Sequence, residues 1–259
     1  MSARVGTRLR DLAVYYSPIA LLIVLWDLLL RSGMVSAELL PSPAVAFASF
    51  RDLAASGELG QHTRVSFYRE IVGLIASVVI GTALGIGMAR IEWLRLLIRP
   101  VVMFLYPMPK SALIPVLLLW FGIGDMSKIA AIFLGCLLPV VTSAFNGARG
   151  VEPPLVWSAR SLGTSRAGVL WKVILPAALP EILSGVRIAL ALSWLLLVSA
   201  ELLISRNGLG YLISFYGENA DYGAMFAAVI VVVLIGFLSD RLFLAASRWL
   251  LRWRELPAA

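Results

Sequence analysis

A chain of 259 residues that is 60% hydrophobic and 14% charged, with a mean hydropathy of +0.91, falls outside the composition of soluble domains. The net charge of +7 is spread in short groups between apolar runs, which orients a membrane protein and needs no polyanion. One cysteine, Cys136, allows no intrachain disulfide and no cysteine-based metal site, and His62 is the single histidine.

Six apolar stretches approach the roughly 20 residues needed to cross the hydrocarbon layer as a helix: Val14–Leu30, Ile71–Ala89, Val101–Phe121, Ile129–Phe145, Ile182–Ile204 and Ala224–Ala246. No alternating ten-residue pattern suggests a barrel, so the expected class is all-α, a polytopic membrane protein in one transmembrane domain over residues 1–259. With both termini cytoplasmic, thirteen Lys and Arg fall on inner segments, from Arg4 to Arg254. Six (Arg31, Arg51, Arg64, Arg69, Lys128 and Arg206) fall on outer ones. That asymmetry predicts the orientation. Arg4 to Arg10 ahead of an apolar run resembles a signal peptide, but Tyr15, Tyr16, Trp26 and Asp27 within it favour a retained first helix.

Residues 32–69 read as one long external connection. Pro41 and Pro43 break it, and Ala44–Ala55 forms a short amphipathic helix with Val45, Phe47, Phe50 and Leu53 roughly on one side. In the second span Gly73, Ser77, Gly81 and Gly85 recur every four residues, a flat ridge for close helix packing. The third span is interrupted by Tyr106-Pro107-Met108-Pro109-Lys110, with Pro115 close behind. Broken backbone at membrane depth needs protein or a water-filled cavity around it, which makes Pro107, Pro109 and Lys110 pathway candidates. Lys110 then faces a pathway, a carboxylate or carbonyls; the alternative is that it snorkels to the interface.

Between the fourth and fifth spans the chain leaves the membrane over residues 146–180. Glu152-Pro153-Pro154 starts a helix, Leu155–Leu162 gives two short turns, and Gly163 ends them in a left-handed conformation. Thr164 or Ser165 caps a second helix over Arg166–Ile174, closed by Pro176 and Pro180. Such a segment suits insertion into a groove of another protein; an ordinary solvated loop is the alternative. Near the outer end of the fifth span, Glu201 either lines the pathway or pairs with Arg206, while Arg187 and Glu181 snorkel. Asp240 and Arg241 steady the bundle, and Asp27 faces a neighbouring helix.

The inner segment resembles the cytoplasmic signature of bacterial ATP-binding-cassette importer permeases: Glu-Ala-Ala, three residues, Gly, nine residues, a branched aliphatic, any residue, Leu-Pro. Here it reads Trp157-Ser158-Ala159, Gly163 and Val173-Ile174-Leu175-Pro176, with the spacing intact. Ile114-Pro115, Leu119 to Gly124, Ala200-Glu201 and Gly208-Leu209-Gly210 are similar to the nitrate, sulfonate and taurine branch. The resemblance implies a type I ABC importer permease fold in the bacterial inner membrane, with a coupling helix over Trp157, Ser158, Ala159, Arg160, Ser161, Leu162, Gly163, Thr164 and Ser165, and Pro176 ending the motif. It also implies two ATPase subunits, a second permease copy, a periplasmic or lipid-anchored solute-binding protein, and a small organic or inorganic anion as substrate. Trp157 departs from the usual glutamate, with Arg160 and Arg166 as candidates for compensating ion pairs.

The chain has no G-x-x-x-x-G-K-[ST] phosphate loop, so the expectation is a non-enzymatic subunit that binds no cofactor, with ATP and magnesium on the partner. An ion-coupled secondary transporter is the alternative. It favours paired broken helices in inverted repeats, and one interrupted helix stands without a counterpart.

Overall fold

In this computed structural model the described residues are 17–18, 20–36 and 38–253, and among them every regular element is helical. Helix satisfies each backbone donor and acceptor within its own segment, which an apolar chain in lipid requires. Contacts divide the described residues into two compact units, one holding those up to Gly60 with Leu212–Val231, the other Gln61–Tyr211 with those from Val232 onward.

In the first unit, α1 is helical over 20–31. The span expected at Val14–Leu30 therefore continues into the described region, and its opening residues lie outside it. Asp27 accepts from Arg31 at 2.7 Å, one turn along the same helix, where a neighbouring helix was expected to take it. The Trp26 indole donates to the Pro41 carbonyl at 3.0 Å and packs 5.6 Å from the Phe226 ring. Helix α2 (Pro43–Ala55) starts as its sequence demands, with Pro43 in the first turn and the Ser42 hydroxyl accepting from Val45 N–H. Its buried residues are Ala46 and Leu53, whereas Val45 and Phe47 remain exposed.

Helix α3 runs from Glu58 to Arg90, thirteen residues ahead of the expected span. The supposed external connection is thus helical through most of its second half. Its polar start, with Gln61, His62, Arg64, Ser66, Arg69 and Glu70, hides the helix from a hydropathy reading. The small-residue ridge packs on α6 (Asp125–Arg149): a Cβ on Gly85 would sit 2.5 Å from the Val141 carbonyl, and Ser77 Oγ donates to the Phe133 carbonyl at 2.7 Å.

The third span is two helices, α4 (Glu92–Leu105) and α5 (Ile114–Phe121), the latter led in by a 3-10 turn over Lys110–Leu113. They meet at 95°, so Val101–Phe121 is not one straight crossing. Two prolines within three residues leave the break no continuous ladder. After α6 come α7 (Pro153–Ser161), α8 (Arg166–Val169), a π turn over Leu170–Ile174 and α9 (Leu175–Leu203). Pro176 and Pro180 do not close a helix there: Arg166–Leu203 is continuous for 38 residues. The wide π turn, closed by Leu175 N–H to the Leu170 carbonyl, shifts the hydrogen-bond register just before Pro176 arrives without a donor. Thirty-eight residues span about 57 Å, nearly twice a hydrocarbon core, so one end of this helix projects beyond the membrane.

Helices α6 and α9 share the core of this unit. Ile132, Cys136, Val140 and Ala144, four residues apart, face Ala178, Ile182, Val186, Ala189 and Leu197. The Cys136 thiol donates to the Ala189 carbonyl at 3.2 Å. Two further helices follow among the described residues, α10 (Leu209–Glu218) and α11 (Tyr222–Leu250). Arg187 pairs with Asp240 of α11 at 2.7 Å instead of snorkelling alone. By length and apolarity α3, α6, Arg166–Leu203 and α11 can each cross a membrane, and the bent pair α4–α5 has the length and apolarity of either a fifth, broken span or a re-entrant loop.

Candidate functional site

Three places in the larger unit carry the residues singled out in the sequence. The first is the segment from α7 to α8. Glu152 and two prolines open α7, and Gly163 closes it at φ +80. Gly163 N–H reaches the Arg160 carbonyl at 2.9 Å and Thr164 N–H reaches Ala159 at 3.0 Å, the paired bonds of a Schellman ending. Ser165, not Thr164, caps the next helix, its hydroxyl accepting from Gly168 N–H at 3.1 Å. Both helix ends are therefore satisfied by the segment's own atoms. What it leaves outward is apolar and basic: Trp157 is 64% exposed, Leu162 83%, and Arg160 is also exposed. Neither Arg160 nor Arg166 forms an ion pair among the described residues. A cavity of about 370 Å3 beside α7 is edged by Trp157 and three arginines, Arg90, Arg149 and Arg160.

The second place is the break between α4 and α5. Lys110 folds back so that Nζ donates to the carbonyls of Leu105 at 3.0 Å, Tyr106 at 2.5 Å and Met108 at 2.8 Å. Carbonyls are thus its partners, among the alternatives its position allowed. The ammonium gathers three carbonyls at and just beyond the C-terminal end of α4 and lies 5.7 Å from the Tyr106 ring centroid. Pro107 and Pro109 shape the reversal that brings it there. A cavity of about 300 Å3 opens beside Lys110, between the break, α6 and α9.

The third place is a junction that the sequence did not announce. Arg69 of α3 donates to Glu201 of α9 at 2.7 Å and to Asp125, the first residue of α6, at 2.7 Å. The same guanidinium bonds the carbonyl of Asn207 at 2.9 Å and the side-chain oxygen of Asn207. Glu201 is 1% exposed; Ser66 Oγ donates to it at 2.9 Å and Gly210 N–H at 2.9 Å. Its partner is therefore Arg69 rather than Arg206, and both its oxygens take hydrogen bonds within the junction. Lys128, fully buried, donates to the Ile123 carbonyl at 2.5 Å and lies within electrostatic reach of Arg69, Asp125 and Glu201. Two cations thus meet two carboxylates, which is what makes their desolvation tolerable. Arg69 and Lys128, counted in the sequence among outer-loop charges, are neutralised in the interior.

The loop after α9 wraps this carboxylate closely. Gly208 takes φ +111, and a Cβ there would run into the Glu201 carboxylate; a Cβ on Gly210 would fall 2.6 Å from Glu201 Cβ. Gly208 N–H donates to His62 Nδ1 at 2.9 Å and Leu209 N–H to Ser66 Oγ at 2.8 Å. His62, Ser66, Arg69, Gly73 and Ser77 follow at intervals of three and four residues, so one helix face serves first the junction and then the ridge. That polar stripe was the available signal.

Residues 77–252 match the family described as binding-protein-dependent transport system inner membrane component. The chain belongs to that family. This permease is 38% identical to a putative aliphatic sulfonates transport permease protein of Bacillus subtilis, over 91% of this chain and 86% of the relative. A taurine transport system permease protein of Escherichia coli is 35% identical over 94% and 90% of the two chains. Among solved structures, a chain of the MetNI methionine ABC transporter gives a TM-score of 0.60 at 19% identity, covering 72% of this chain and 93% of that one. An amino acid ABC transporter crystallised with histidines gives 0.60 at 16%, covering 79% and 97%. These likenesses are of fold, that of an ABC importer permease.

Proposed function

We propose that this chain forms the translocation pathway of an inner-membrane importer for a small sulfonate, with both termini cytoplasmic. A periplasmic or lipid-anchored binding protein delivers the solute. Two copies pair around the path, and each docks one ATPase subunit through Trp157 to Ser165. ATP and magnesium are held by those subunits. Closure of the ATPase pair draws the docked helices together and tilts the spans from inward-open to outward-open. Pro107, Pro109 and Lys110 stand at the path, and Glu201 holds the junction of α3, α6 and α9. The sulfonate and taurine relatives support the substrate class.

One observation carries the docking role: α7 and its turn complete their own helix ends, while Trp157, Arg160 and Leu162 project with no ion pair or side-chain hydrogen bond among the described residues. A preorganised segment of this kind loses little conformational freedom on seating in a groove. Trp157 then fills a hydrophobic slot in the partner where a charged contact is the commoner solution.

The test is to co-express the chain with its ATPase and purify the complex. Gly163→Val strains the left-handed turn by roughly 1–2 kcal/mol, too little to unfold the bundle. Solute-stimulated ATP hydrolysis should fall to the unstimulated rate. An undiminished stimulated rate would remove the docking assignment.

A further inference from the structure

The cavity of about 300 Å3 at the broken span has two chemically distinct sides. On one stand Lys110 and Ser111; on the other Leu138, Ile188, Leu192, Leu195 and Leu196. No carboxylate lines it, and Lys110 makes no ion pair among the described residues. The carbonyls of Leu105, Tyr106 and Met108 hold the ammonium in place but leave its charge uncompensated. A fixed positive charge beside a hydroxyl and facing an apolar wall calls for an anion with a hydrocarbon body. The volume sits at the small end of ligand pockets, roughly 300–1,000 Å3, so the body is short.

We propose that this cavity is a binding station for short alkanesulfonates, with the sulfonate on the Lys110 and Ser111 side and the alkyl chain against Leu192, Leu195 and Leu196. The same chemistry discriminates against solutes that also carry an amine. An ammonium needs acceptors or a carboxylate where apolar side chains displace its water. The carbonyls at the break already hold the Lys110 ammonium, whose charge repels a second cation. Taurine and amino acids are disfavoured here, whatever the binding protein accepts. This inference rests on the sulfonate-importer reading above and adds a second, permease-borne filter to it.

The experiment is equilibrium dialysis of radiolabelled butanesulfonate against the permease–ATPase complex in nanodiscs, without the binding protein. Butanesulfonate should bind saturably, with taurine and butylamine at least about tenfold weaker. Leu192→Trp, which fills the cavity from its apolar side, should abolish binding while the complex still elutes intact on size exclusion. Lys110→Met should lose at least about tenfold in affinity. Equal affinity for taurine, or butanesulfonate binding unchanged in Leu192→Trp, would overturn the station, as would a phospholipid that native mass spectrometry finds there and butanesulfonate fails to displace. Uptake by the complete wild-type system is measured separately. If sulfonate enters cells but does not bind the complex, the station fails and the importer reading stands. If no sulfonate enters, the importer reading fails on its own account.

Discussion

The junction at Arg69 and the segment from α7 to α8 are built from similar residues and use them in opposite ways. At the junction, the Arg69 guanidinium, the Lys128 ammonium and the Glu201 carboxylate are buried, Asp125 stands half exposed at its edge, and the Arg69 and Glu201 hydrogen bonds are drawn from three helices and a loop. In the segment, arginines and an indole stand exposed, and the hydrogen bonds among the described residues close the ends of its own helices. The two regions therefore bear force in different ways. Energy invested in buried pairing makes a fixed point, because any displacement strands a charge in low dielectric. Local capping makes a rigid small part whose outward side chains remain to be spent on another protein. A subunit moved from outside needs both, a stiff frame and a handle that adds little to the frame's stability.

The sharpest way to break this contrast is to strand a charge. Arg69→Ala leaves Glu201 buried without its cation, and loss of one member of a buried pair costs about 3–5 kcal/mol. The expected outcome is a collapse in the yield of monodisperse protein on fluorescence-detected size exclusion, or a fall of many degrees in Tm. Arg69→Met combined with Glu201→Leu removes both charges and should recover much of the loss. Arg187→Ala provides the exposed counterpart. Its pair with Asp240 is about half open to solvent, and surface pairs contribute roughly 0–1 kcal/mol. Equal losses at Arg69 and Arg187 would mean that burial is not what distinguishes the junction.

Much of this was legible in the sequence, and the failures share a cause. The all-helical class, the break at Pro107 and Pro109, the ridge from Gly73 to Gly85 and the left-handed Gly163 each depend on one local rule acting within a few residues. The start of α3 was missed because hydropathy penalises His62, Arg69 and Glu70, although tertiary partners make them acceptable inside. Glu201 drew attention as an isolated acid, yet its partner lies 132 residues away. No local rule reaches that far. The passage of the helix through Pro176 depends on a π turn, a choice the backbone makes only in the assembled fold.

A smaller effect sharpens the description of the frame. Gly85→Leu places atoms within 3 Å of the Val141 carbonyl and Ala144 Cβ, so α3 must move off α6. Overpacking of this kind costs about 1–3 kcal/mol, visible as a lower Tm. Gly163→Val should show no comparable fall in the bundle's Tm: nothing lies within 4 Å of a Cβ at that position, so its backbone strain is relieved by local opening of the segment and α3 and α6 need not move. A matching drop in Tm would place the segment inside the frame after all.

The smallest change is the most local. Ser165→Ala removes the acceptor for Gly168 N–H, and a lost N-cap costs about 1 kcal/mol. If the segment closes on itself, that loss stays within the turn Arg166–Val169. Hydrogen exchange there should quicken by roughly fivefold, the factor that 1 kcal/mol sets for a local opening, while Tm is unchanged within error. If instead the bundle's Tm falls while exchange over Arg166–Val169 stays as it was, the cap is coupled to α9 through the continuous helix. The handle would then be a lever welded to the fifth span, transmitting force by stiffness rather than by docking alone.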